Sequence, residues 1–154
     1  MAHGLPDYNR GVDVAYQALS QMIVRPKYGG AVRTSGGLVV TASVETLLCT
    51  VSGKGMIYGG WIRLDHTSTQ KDSGVIMAVD GDDIFSMSFD GGIKYGITYP
   101  RCSPMILQLF DDVNFIYSVG ISYGITFETE VKLSYQEEHV QTPSVGYNLV
   151  YALI

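Results

Sequence analysis

Between Val44 and Asp83 the sequence alternates short strand-forming runs with glycine turns: VETLLCTVSGKGMIYGGWIRLDHTSTQKDSGVIMAVDGDD. Runs of Val, Ile, Thr, Tyr and Trp bounded by Gly, Asp and Ser read as strands joined by tight turns. The spacing leaves no room for helices between them, so this stretch specifies antiparallel sheet. Ser52-Gly53-Lys54-Gly55 turns the chain into Met56–Asp65, where Gly59-Gly60 predicts a bulge or a close backbone approach. Strict alternation puts Trp61, Arg63 and Asp65 on one face, with Met56, Tyr58, Ile62 and Leu64 on the other. His66–Ser73 reads as an exposed polar loop, and Gly74–Val79 as a strand buried on both faces. Asp80-Gly81 is a hairpin turn into Ile84–Phe89.

The same rhythm fills the rest of the chain. Leu38–Ser43 and Glu45–Ser52 read as strands, and Asp90-Gly91-Gly92 as a turn. Ile93, Tyr95, Ile97 and Tyr99 then alternate with polar or small residues up to Pro100. Met105–Phe110 and Asn114–Val119 follow, then Phe127 to Tyr135 with its apolar and polar residues alternating. Tyr147–Ile154 is apolar on both faces, so it belongs at a sheet centre or against another subunit, which makes Tyr147, Leu149, Tyr151 and Leu153 candidate interface residues. Roughly eight to ten short strands without intervening helices predict an all-β antiparallel sandwich, a jelly roll above other layouts. The 18 Gly and 11 Tyr agree, being turn and strand residues.

Residues 1–35 differ. Val12, Ala15, Tyr16, Leu19, Met22 and Ile23 recur at helical spacing, and Pro26 stops the run. Glycine pairs at 29–30 and 36–37 predict a flexible link to the body. We therefore divide the chain into a helix-bearing arm, 1–35, and a sandwich domain, 36–154. Tyr8, Arg10, Tyr16, Arg25, Lys27 and Tyr28 are the arm's candidate attachment residues.

Charged residues make up only 16% of the chain, which points to surface covered by other subunits. A net charge of −5 with scattered Lys and Arg argues against nucleic acid. The sequence contains no apolar run of membrane-spanning length and no signal-peptide pattern at its start. Cys49 and Cys102 read as small buried hydrophobes rather than a disulfide pair or nucleophiles. Asp80, Asp82 and Asp83 suggest calcium, but VDGDDIF lacks the full loop signature and the Asp-Gly turn explains Asp80. His3, His66 and His139 stand too far apart for a zinc pair, and no Gly-x-Ser-x-Gly elbow occurs. Glu128 and Glu130 share a strand face that reads as solvated, and Glu137-Glu138 as a charged loop. We therefore expect no enzyme activity and no cofactor. Trp61 with loop tyrosines supports an alternative, a carbohydrate- or receptor-binding sandwich.

Ser52, Gly53, Lys54, Gly55, Gly59, Gly60, Val79, Asp80 and Gly81 carry a resemblance to jelly-roll virion proteins of tailed bacteriophages. The resemblance covers roughly the forty residues of the opening stretch and consists mainly of turn chemistry. It implies a capsid decoration, head-fibre or tail-adaptor protein, a homotrimer anchored by an N-terminal or edge segment. It also implies docking on the major capsid protein or another virion protein after assembly in the host cytoplasm. No catalytic residues transfer.

Overall fold

A computed structural model describes residues 30–98 and 103–154. Among them are ten strands and one short helix: β1 (Val32–Val39), β2 (Glu45–Ser52), β3 (Gly55–Asp65), β4 (Gly74–Val79), β5 (Asp82–Ser88), α1 (Phe89–Lys94), β6 (Met105–Asp111), β7 (Ile116–Ile121), β8 (Ile125–Phe127), β9 (Glu130–Gln136) and β10 (Ser144–Leu153). They form two antiparallel sheets, ordered β1-β10-β3-β7-β6 and β2-β9-β4-β5, with β8 also paired to β3. The pairs β4·β5, β3·β7, β2·β9 and β1·β10 nest one outside another along the chain. One long antiparallel ribbon has folded back on itself, which is the jelly roll the strand rhythm predicts.

The inner faces meet in a single core. Ile57, Ile62, Leu64, Tyr117 and Leu149 come from the first sheet; Val75, Met77, Leu133 and Tyr135 come from the second. At the centre of β3, Gly60 faces inward opposite Leu149. A Cβ there would lie 2.3 Å from the backbone oxygen of Asn148, so β10 runs too close for any side chain. Asp80 (φ 54°) and Gly81 (φ 93°) form the expected two-residue turn, both in the left-handed region.

Several expectations change. The register of β3 with β10 passes from Gly59 to Ile57, so Tyr58 is a bulged residue. Below the bulge the faces exchange, and Ile57 rather than Met56 or Tyr58 points into the core. Ser35-Gly36-Gly37 lies inside β1 rather than in a link, and β1 already begins at Val32, within the expected arm. The stretch expected to turn at Asp90 and continue as a strand is instead α1. Ser88 caps it by accepting from Gly91 N, and Phe89 inserts into the core as its anchor. Two glycines in the first turn looked like a break, but Gly92 sits against Leu107 and Met87 where a side chain would crowd them. The expected arm helix lies outside the described residues.

Candidate functional site

The first sheet's outer face bears aromatic and polar groups together. Core-facing Val145 and Leu149 fix the alternation, and cross-strand partners share a face. Trp61, Arg63 and Asp65 of β3 therefore point outward, beside Asn148 of β10 and Gly120 of β7. The Trp61 indole leans over Gly146, with ring carbon Cζ3 only 3.5 Å from where a Cβ would stand. The side chain is 37% exposed. Arg33 Nε donates to Asn148 Oδ1 at 3.1 Å, and the Gln108 amide covers Gly120. Arg63 pairs with Asp65 at 3.7 Å in solvent, which contributes little to stability.

At the sheet's edge lies β1, seven of whose eight residues are exposed. Thr34 faces Leu149 and Leu38 faces Val145, so Val32, Thr34, Gly36 and Leu38 line its inner face. Val32 and Leu38 remain 49% and 37% exposed even on that side.

The candidate interface residues of β10 fall differently. Both edges of β10 are occupied, by β1 and β3, so it offers no edge to another subunit. Leu149 has no exposed surface and is removed from any interface. Tyr147 and Tyr151 pack part-buried against the core, the Tyr147 ring lying against Gly36, while Leu153 is exposed. Tyr8, Arg10, Tyr16, Arg25, Lys27 and Tyr28 lie outside the described residues.

A second cluster escaped sequence reasoning altogether. The 66–73 loop, expected in solvent, has Gln70 and Ser73 fully buried, and so is Glu137. Ser73 Oγ donates to Glu137 Oε1 at 3.1 Å, and His139 N donates to the same oxygen at 2.9 Å. Gln70 Nε2 donates to Gln141 Oε1 at 2.7 Å, and its backbone N–H donates to the Tyr117 hydroxyl at 3.2 Å. Tyr117 and Thr69 both donate to Asp112 Oδ1 at 2.5 Å. Those two hydroxyls hold the Asp112 carboxyl below the usual carboxylate range. Burial pushes the Tyr135 phenol far upward, beside Ser73 and Glu137. Among the described residues His139 Nε2 is buried with no hydrogen-bond partner. Ser73 and Glu137 are wholly enclosed, and the set ties three loops together. Each loop is polar when read alone, and only their convergence shows why.

Asp80 is the third feature. Its Oδ1 and Oδ2 accept from Glu128 N at 3.1 and 2.9 Å, and Oδ1 accepts from Thr129 N at 2.7 Å, Thr129 Oγ1 at 2.8 Å and Glu130 N at 3.1 Å. These donors, the Glu128 amide first, hold its carboxyl well below its ordinary 3.8. Asp80 thus clamps the β4–β5 turn to the entry of β9, which accounts for the residue without calcium. Glu128 sits in that bend, paired with Lys54 at 2.6 Å, rather than on a strand with Glu130. A depressed folded pKa contributes stability at pH values above 3.8 that is lost as pH falls toward the folded value. Asp80→Asn, which keeps the turn geometry, should lower the urea midpoint at neutral pH and flatten its dependence below about pH 4. An unchanged acid limb in the variant would show that Asp80 carries none of it.

Among the described residues no three His, Cys, Asp or Glu side chains group as metal ligands. Burial raises the Cys49 thiol to about 11, so it is not a thiolate near neutrality. A groove of about 420 Å³ between α1 and β6 is lined by Ile93, Ile106, Leu109 and Phe110 among others, and among the described residues its lining has no carboxylate, imidazole or thiol. Among the described residues no helix is long and apolar enough to cross a membrane.

No family model matches the sequence, and neither does any curated protein. A chain from the crystal structure of the Aeromonas sobria serine protease and chaperone ORF2 complex superposes with a TM-score of 0.40 and 8% identity. The match covers 90% of this chain and 30% of that one, so this chain spans under a third of that chain's length. A likeness at that level carries nothing about function.

Proposed function

We propose that this chain is a structural virion protein of a tailed bacteriophage, a homo-oligomeric jelly-roll subunit docked on a capsid or tail. The observation that carries the assembly half of this reading is β1, an edge strand left exposed on both faces with Val32, Leu38 and Val39 in solvent. An apolar strand edge of this kind is an association site unless something covers it. The virion half rests on the turn-chemistry resemblance, with which the jelly-roll topology agrees. Sedimentation velocity on the full chain tests assembly: the protein should run as a multiple of its 16.8 kDa mass at micromolar concentration. Electron microscopy of purified particles labelled with an antibody to the chain tests the location. A strict monomer with no affinity for any particle shell would sink the proposal.

The second reading is a glycan-binding module, favoured by the Trp61 platform. A part-exposed indole over Gly146, on the same face as Asn148, Arg33 and Arg63, offers an aromatic surface beside hydrogen-bonding groups. A glycan array followed by titration of Trp61→Ala measures it. This reading expects at least a tenfold loss of affinity, about 1.4 kcal/mol. An array without binders removes it.

A further inference from the structure

Among the described residues, the strands that end the two sheet orders, β1, β6, β2 and β5, are not alike. The edge strand β2 has a register break at Leu48 and begins with Glu45; β5 breaks at Ile84 and begins with Asp82-Asp83. The edge strand β6 breaks at Gln108, and Leu107 N is taken by Ile97 O at 2.9 Å. Bulges and charges are the devices that stop edges from pairing. The register of β1 runs unbroken over eight residues, without a proline, a bulge or a carboxylate.

We infer that β1 pairs antiparallel with β1 of a second copy, about a two-fold axis through Ser35, joining two first sheets into one continuous sheet. The inference rests on the assembly reading above and names its contact. In an antiparallel pair, opposite residues share a face, so a two-fold that keeps inner faces aligned must pass through a residue and not between two. Centring on Ser35 sets Val32 opposite Leu38, the two half-exposed apolar side chains of the inner face, and does so twice. It also sets Thr34 opposite Gly36 and Arg33 opposite Gly37, so no like charges meet. A centre at Gly36 sets Leu38 opposite Thr34 and carries Val32 past the end of the partner strand, and a centre at Thr34 sets Val32 opposite Gly36 and carries Leu38 past it. The Ser35 register alone matches the apolar pair. The contact is isologous and closes at two copies, so the trimer that the resemblance implies would need a separate, heterologous interface.

Cysteine cross-linking reads the register directly. In a Cys102→Ser background, Ser35→Cys should oxidise to a covalent dimer in high yield. Gly37→Cys should yield little, because residues 37 of the two copies lie roughly 13 Å apart in this register. Ser35→Lys should cost the association and halve the sedimenting mass with an unchanged circular dichroism spectrum, since Ser35 is exposed. Ser35→Glu should do the same, and an equimolar mixture of the two should re-associate. Equal cross-linking at 35 and 37, or an unchanged mass for Ser35→Lys, overturns the β1 contact while an oligomeric mass leaves the assembly reading standing. A wild-type monomer overturns both.

Discussion

Phe89→Ala should cost about 3–5 kcal/mol, the loss expected for removing a fully enclosed aromatic side chain. Phe89 is 1% exposed, its ring stacked on Tyr117 at 4.9 Å and tilted toward Tyr135 at 6.3 Å. Its backbone N–H also donates to Ser73 O at 3.0 Å, so one residue joins the core, the start of α1 and the buried polar set. Urea unfolding at neutral pH measures the effect, with the m-value unchanged if the native fold survives. The companion variant is Ile93→Ala, on the same helix but 46% exposed, which should stay within about 0.5 kcal/mol. Equal losses for the two would contradict the view that α1 is held by its first residue.

Gly60→Ala should cost at least about 2 kcal/mol, because the new methyl meets a backbone oxygen rather than a side chain that can turn aside. Asn148 O would lie 2.3 Å from it and Leu149 Cα 3.2 Å, so the central β3·β10 pairing must spread. That pairing also sets Trp61 opposite Asn148, and the outer platform should loosen with it. Gly37→Ala is the contrast, since its nearest neighbour is Val145 O at an ordinary 3.8 Å. It should change stability by no more than about 0.5 kcal/mol. Thermal and urea midpoints for the two variants decide the matter. A neutral Gly60→Ala would mean that β10 does not approach β3 so closely.

The strand rhythm and turn chemistry carried the fold because they are local signals. Asp80-Gly81 can adopt a tight hairpin turn in any context, and the alternation from Val131 to Tyr135 can serve only one buried face. The failures are places where a distant partner decides. Asp90-Gly91-Gly92 reads as a turn until Phe89 finds Tyr117, and the small residues then become what lets α1 lie close to Leu107. Tyr58 is indistinguishable from its neighbours until β10 pairs out of step opposite it. Ser35-Gly36-Gly37 looks like a hinge, yet Gly36 leaves room for the Tyr147 ring. Gln70, Ser73 and Glu137 were least legible of all, since polar side chains that satisfy one another look in sequence like side chains that satisfy water. Of the candidate site, Trp61, Arg63 and Asp65 were placed on one face from alternation alone. Among the described residues, the unbroken register of β1 stands out only beside the broken registers of β2, β5 and β6.

Whether this jelly roll assembles as proposed shows in its mass in solution. Sedimentation velocity of the full chain across a micromolar dilution series should show an even multiple of 16.8 kDa that dissociates on dilution or on Ser35→Lys substitution. A single 16.8 kDa species at every concentration would contradict the claim.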